Sequence, residues 1–412
     1  MSQGFEPIFL SDEFGGISHE EAMMADACSA ITSQRINYVG NKKRLLPYIW
    51  GAFEESGLQL GRVTDAFGGS GVVSALFSYL GAKVAYNDIL LSSCVQAVRL
   101  LSPFTPILDS KELTILMEDA SGESACDITR RFYAGKFFTD DEAVFIDRYL
   151  GNVRLIYPQI RSNGIVFDHT GVNPDPKAIK AIEAYCAIIG HINSVCFLGG
   201  RYYNGQTLAK REHRLTHERN GGVELHKSFS KEILEKLPVV GYPKGSSSSV
   251  HNMDVVRFLT EAFPEGDLLY LDPPYGGESS DYAALYRFIE ESVAWKRYDD
   301  DKEKIGNAVK FKGKNGYENL FKEVLSVASG YKMWMVSFNR TSFASMDRIT
   351  SILEGFGRKV KVKSVPISYN YRKKRRNVSL GERIVAEDGN ISRGRHIIGG
   401  TDDEIILLAE RK

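Results

Sequence analysis

The sequence predicts an α/β protein: one doubly wound, mainly parallel sheet interrupted by an inserted, mostly helical segment. Three observations carry this. Residues 62–67 read as a buried strand, which runs through a glycine-rich turn (Gly68-Gly69-Ser70-Gly71) into an apolar helix over 72–80 and a second strand at Lys83–Asn87. Strand, turn, helix, strand is a βαβ unit, which implies a parallel pair. The same alternation resumes after residue 250, while the stretch between shows helical periodicity, clearest over 140–150 and 176–193.

Taken in order, residues 1–33 are acidic, rich in small residues and weakly patterned, and read as an N-terminal extension, flexible or only partly ordered. Leu45, Leu46, Ile49, Trp50 and Phe53 recur at helical spacing over 42–57, with Gly57 suited to the position just past the helix end and Pro47 to its first turn. Residues 101–245 form the expected insertion, in which 199–222 are rich in glycine, basic and aromatic side chains. The serine run at 246–249 reads as a flexible link. A helix over 254–263, a strand over 267–271, helices over 281–295 and 317–329, a strand over 332–338, a helix over 342–355, a strand marked by Val360, Val362 and Val365, and a last strand at 404–409 rebuild the sheet. Residues 34–100 and 246–412 therefore make one domain around the inserted one.

Composition narrows the function. The 412 residues include 52 basic and 52 acidic side chains, for a net charge of zero. That excludes a uniformly basic nucleic-acid coat and leaves room for a basic patch. Five cysteines, an odd number without C-x-x-C pairs, point to a reducing cytoplasm. No secretory signal and no membrane-length apolar run are visible, so no membrane partner is expected. The histidines do not gather at ligand spacings, so no metal site is expected.

The most informative motif is Asp272-Pro273-Pro274-Tyr275, directly after the apolar strand Leu268-Leu269-Tyr270-Leu271. Two prolines end the ladder and hold the backbone in an extended turn. The Asp272 carboxylate and the Pro273 carbonyl then form two acceptors about one amine's width apart. An aromatic amine is a poor nucleophile because its lone pair is delocalised into the ring. Two acceptors that take both of its hydrogens favour a pyramidal nitrogen with the lone pair released. Tyr275 offers a face for a base to stack on, worth about 1–3 kcal/mol.

Asp65-Ala66-Phe67-Gly68-Gly69-Ser70-Gly71 ends the first strand, where glycines admit a ligand close to the backbone. Asp88 ends the next strand, the place for an acid on a ribose hydroxyl pair. Alone, these features suit any Rossmann-like cofactor site, or a tight turn beside a surface acid; G-x-G-x-x-G is absent. Asn252-Met253-Asp254 leaves Asp254 either as a helix N-cap or as an acceptor for an adenine amine. Tyr38-Val39-Gly40-Asn41-Lys42, read alone, is a turn with a basic helix start.

In this order, Tyr38 to Lys42, D-A-F-G-G-S-G, Asp88, a long insertion and D-P-P-Y resemble the Dam-like (alpha-group) DNA adenine-N6 methyltransferases. M-W-M-V-S-F-N at 333–339, a C-terminal hairpin made of 368–372 and 404–408, and Gly200-Arg201-Tyr202-Tyr203-Asn204-Gly205 extend the likeness. The resemblance implies a Rossmann-like sheet of the S-adenosylmethionine-dependent methyltransferase type, with 101–245 as target-recognition domain. It implies S-adenosyl-L-methionine as cofactor and double-stranded DNA as partner. A cognate restriction endonuclease or a defence-system component would be the protein partner, in a bacterial or phage setting. Tyr38, Lys42, Asp65, Phe67, Gly69, Gly71, Asp88, Asp254 and Asp272 would hold the cofactor. Asp272, Pro273, Pro274 and Tyr275 would act on a base flipped from the duplex. Asn41 stands where relatives often have glycine, and 377–400 interrupts the hairpin.

Two basic stretches fit a phosphate backbone. Arg201, Tyr202, Tyr203, Asn204, Arg211 and Arg214 mark one, and Arg372, Lys373 and Lys374 lie in another that has no acid between 357 and 380. The alternatives are transfer to cytosine N4, which more often carries serine at position 272, transfer to RNA or to a protein glutamine, and a catalytically idle DNA-binding component. The absence of a Pro-Cys dipeptide argues against a cysteine nucleophile attacking cytosine carbon 5.

Overall fold

The computed structural model describes residues 19–33, 41–102, 108–118, 127–156, 176–195, 208, 224–230, 233–234, 248–274, 282–295, 297, 313–339, 344–365, 384–385, 391–392 and 404–412. Its first elements are α1 (His19–Ser33), a 3-10 turn at Lys43–Leu45, α2 (Leu46–Glu55), β1 (Arg62–Asp65), α3 (Val72–Tyr79), β2 (Lys83–Asn87) and α4 (Leu91–Leu101). A helical stretch follows: α5 (Ser110–Met117), α6 (Ile128–Phe132), α7 (Asp140–Ile156), α8 (Pro176–Val195) and α9 (Leu225–Ser228). The chain then forms β3 (Ser248–His251), α10 (Val255–Arg257) continued by a π-turn at Phe258–Ala262, β4 (Glu265–Leu271), α11 (Tyr282–Ala294), α12 (Gly313–Val327), β5 (Gly330–Asn339), α13 (Met346–Gly355), β6 (Arg358–Val365) and β7 (Glu404–Arg411).

Seven strands form one sheet in the order β3-β2-β1-β4-β5-β7-β6. β1 to β5 are parallel, and β7 runs antiparallel to both β5 and β6. The doubly wound α/β class is therefore the observed one. The winding reverses between β1 and β4, and the crevice beyond their C-terminal ends is where such sheets bind ligands.

Period-2 alternation divides the strands between two apolar layers. Leu268 and Tyr270 of β4 face a core with Met24, Ala27 and Ile31 of α1, Ile49 and Phe53 of α2, and Leu76 and Phe77 of α3. Leu269 and Leu271 face the opposite core, with Phe258, Tyr317, Phe321, Trp334 and Ile349. A third core joins Ile146 and Tyr149 of α7, Ile182 and Ile188 of α8, Val95 of α4, and Phe288 and Val293 of α11.

Several expectations need correction. Within the expected N-terminal extension, residues 19–33 form a helix whose Met24, Ala27 and Ile31 are buried against α2 and α3. The serine run is not a mere link, because Ser248–His251 is the edge strand beside β2, in register from Val84↔Ser248 to Asn87↔His251. A ladder of backbone bonds needs no apolar side chains, and Ser248 also shares a hydroxyl pair with Ser78 at 2.9 Å. The helix expected over 254–263 is one α-turn followed by a π-turn. β7 pairs with Arg358–Val365, and residues 368–372, expected in the C-terminal hairpin, lie outside the described set.

Candidate active site

β1 delivers the chain into the glycine turn between two neighbours. Ala66 N–H donates to the Tyr270 carbonyl of β4 at 3.2 Å, and Gly68 N–H to the Asn87 carbonyl at the end of β2 at 2.8 Å. Gly69 and Gly71 have φ of 50° and 74°, the left-handed region in which a side chain is strained. Gly68 is needed for space: a Cβ there would lie 2.0 Å from Cε2 of Tyr86. The Tyr86 hydroxyl in turn donates to the Gly69 carbonyl at 2.9 Å. Gly71 then starts α3, accepting from Ala75 N–H at 2.8 Å.

Asp88 is buried at the end of β2. Its Oδ2 accepts from Gly69 N–H and its Oδ1 from Leu90 N–H, both at 2.8 Å. Burial pushes its carboxyl up to about 6 against those stabilising bonds. It thus ties the glycine turn to the β2 end. Asn87 fastens the same corner to the next, donating to the Ala66 and Met253 carbonyls at 3.3 and 3.2 Å and accepting from Met253 N–H at 3.1 Å. Asp254 caps α10: its Oδ1 accepts from Val256 N–H at 3.0 Å and Arg257 N–H at 3.3 Å.

β4 ends beside this turn. Asp65 pairs in register with Tyr270, which places Asp272 and Pro273 beyond the same sheet edge as the glycine turn. Asp272 Oδ1 meets Lys42 Nζ at 3.1 Å. Lys42 is 4% exposed, brought in by the turn before α2. Asp65 is also buried; Ser74 Oγ donates to its Oδ2 at 2.7 Å, and its Oδ1 has no hydrogen-bond partner among the described residues. Burial pushes the Asp65 carboxyl up to about 7, with the charges of Asp272 and Asp88 adding to the rise. Burial, and then the Asp272 charge, also raise the phenols of Tyr270 and Tyr317, so both rings lie within reach of that carboxylate's field.

Three carboxylates and one ammonium thus share the C-terminal edge of β1, β2 and β4. Such a site suits a ligand that carries positive charge, as a sulfonium and an α-ammonium do. The unsatisfied buried oxygen of Asp65 and the side-chain-free turn at Gly68–Gly69 fit the methionine end of S-adenosylmethionine. Lys42, Asp65, Gly69, Gly71, Asp88, Asp272 and Pro273 are brought together. Phe67 packs against the Phe258–Trp334 core. Tyr38, Tyr275, Arg201, Tyr202, Tyr203, Asn204, Arg211, Arg214, Arg372, Lys373 and Lys374 lie outside the described residues. Sequence reasoning missed Tyr317 and Ser74, which occupy ordinary helical positions and carry no motif.

No protein-family profile matches the sequence. The Type II methyltransferase M2.HphI of Haemophilus parahaemolyticus is 23% identical over 335 residues, covering 81% of this chain and 92% of the relative. The chain is a distant relative of a Type II methyltransferase. That relationship, together with the mostly parallel seven-stranded sheet, is consistent with a Rossmann-like methyltransferase fold. Among the described residues no helix is long and apolar enough to cross a membrane.

Proposed function

We propose that this chain is a site-specific DNA methyltransferase acting on the exocyclic N6 amine of adenine in duplex DNA. One observation carries the proposal: Asp272 and Pro273 directly follow β4 at the edge where the glycine turn follows β1 and Asp88 follows β2, with Lys42 Nζ 3.1 Å from Asp272. The distant relationship to a Type II methyltransferase supports it.

S-adenosylmethionine would supply an electrophilic sulfonium methyl group, which the amine nitrogen takes over. Lys42, Asp65, the turn Phe67–Gly71 and Asp88 are the residues proposed to hold it. The Asp272 carboxylate and the Pro273 carbonyl accept the two N–H groups of an adenine flipped from the helix, an extrusion that costs a few kcal/mol. They free the nitrogen lone pair and stabilise positive charge as it develops there. The amine proton leaves after transfer, with the Asp272 carboxylate the nearest acceptor. Tyr275 stacks on the base. Residues 101–245 serve as the target-recognition domain, and the basic stretches at 201–214 and 372–374 contact phosphates. A restriction endonuclease or defence-system partner belongs to the same reading.

The test is expression of the chain in a host without adenine methylation, followed by nucleoside mass spectrometry and single-molecule sequencing of plasmid DNA. N6-methyladenine at one short sequence is the expected result. N4-methylcytosine would replace the substrate assignment, and unmodified DNA from a folded chain that binds S-adenosylmethionine would remove the activity.

A further inference from the structure

Helix α4 starts with a residue that cannot cap it. Leu90 occupies the N-cap position and offers no side-chain acceptor. The first N–H groups of a helix have no partner inside it, so acceptors must come from elsewhere. Asp88 takes Leu90 N–H at 2.8 Å. The next two donors are met from α11: Leu91 N–H by Glu290 Oε2 at 3.0 Å and Ser92 N–H by Glu290 Oε1 at 2.7 Å. Glu290 is 2% exposed. A carboxylate is favoured at this end of the helix dipole. It is nevertheless an expensive group to bury, since burial raises its carboxyl to about 7 despite both bonds. A serine at 90 could accept from one N–H of the first turn, whereas Glu290 takes two from the neighbouring helix, so the carboxylate fixes the position of α4 relative to α11 as well as capping it.

We propose that Glu290 is a positioning residue for the cofactor pocket: by gripping the N-terminus of α4 it holds the corner from which the Asp88 carboxylate reaches the Gly69 turn. The proposal rests on the reading of that pocket as the S-adenosylmethionine site.

Asp147 provides a matched comparison. It caps α6 in the same two-point way, accepting from Thr129 N–H at 2.9 Å and Arg130 N–H at 2.8 Å, but α6 (Ile128–Phe132) carries no residue of the glycine-turn corner. Both Glu290→Gln and Asp147→Asn replace an acceptor pair by one acceptor and one donor, and both lower thermal stability. Calorimetric titration of the full chain with S-adenosylmethionine separates them. Glu290→Gln is expected to raise Kd about tenfold, while DNA affinity and turnover at saturating S-adenosylmethionine stay at wild type. Asp147→Asn is expected to leave Kd unchanged. Should Glu290→Gln fail to fold, Glu290→Asp, with the charge kept one methylene shorter, carries the same expectation. Wild-type Kd in the folded Glu290 variant, or an equal shift in both variants, overturns the positioning role. A wild-type chain that does not bind S-adenosylmethionine instead removes the cofactor reading itself.

Discussion

Gly68→Ala tests the packing of the glycine turn. The added Cβ would stand 2.0, 2.3 and 2.7 Å from Cε2, Cδ2 and Cζ of Tyr86. Carbon atoms ordinarily approach to about 3.5–4.0 Å, so the ring or the turn must give way by about 1.5 Å. Tyr86 is fully buried, and its hydroxyl holds the Gly69 carbonyl at 2.9 Å. Overpacking of this kind costs about 1–3 kcal/mol. Movement of the turn also loosens the Tyr86 bond, worth about 1 kcal/mol, and the Gly69 N–H bond to the Asp88 carboxylate, worth about 1.5–3 kcal/mol. A total of about 3.5–7 kcal/mol follows when both bonds are lost. Urea denaturation measures it, with Gly355→Ala as control, since a Cβ at Gly355 meets nothing within 4 Å. S-adenosylmethionine affinity should fall with the turn. A Gly68→Ala chain with wild-type stability and wild-type affinity would refute the argument that this turn is shaped around Tyr86.

Three further predictions concern charge. Asp272→Ala should abolish methyl transfer, read with tritiated S-adenosylmethionine, while the chain stays folded by circular dichroism; wild-type turnover removes Asp272 from the chemistry. The Asp65 carboxyl is raised to about 7 in the fold, so between about pH 4 and pH 7 the native state keeps a proton that the unfolded chain has lost. Its contribution therefore lowers stability as pH rises through that window, and Asp65→Asn should gain stability over wild type progressively from about pH 4 to pH 7 and level off above it. A gap independent of pH would show that Asp65 ionises freely. Replacing Arg372, Lys373, Lys374, Arg375 and Arg376 by glutamine should flatten the salt dependence of DNA binding, by about 0.9 in the log–log slope for each phosphate the variant no longer neutralises. An unchanged slope makes that run a solvated face.

The parts of the site legible in the sequence were those with local signatures. The apolar run at 268–271 with two prolines after it, and the short strand at 62–65 with a glycine cluster after it, state their backbone geometry within a few residues. The helix Leu46–Glu55 was equally readable, with Pro47 in its first turn and Gly57 at φ 68° beyond its end. β3 was not, because Ser248 and Ser249 form a strand only by pairing with Val84 and Ala85, and serines carry no apolar alternation. α1 was missed for a related reason. Its buried stripe is Met24, Ala27 and Ile31, two of them flanked by small residues that blur the pattern, and its partners lie on α2 and α3.

By itself the sequence determined the α/β class and the strand ends that carry Asp65, Asp88 and Asp272. These follow from covalent and near-neighbour chemistry: a proline removes a donor, a glycine admits a left-handed turn, and side-chain period tells strand from helix. Tertiary structure alone decided which charges meet. Lys42 reaches Asp272, Asp88 is committed to Gly69 and Leu90, and Glu290 caps a helix whose first residues are 199 and 198 positions away. Coulombic and hydrogen-bond energies depend on distance and burial in space, and neither is written in the spacing of residues along the chain.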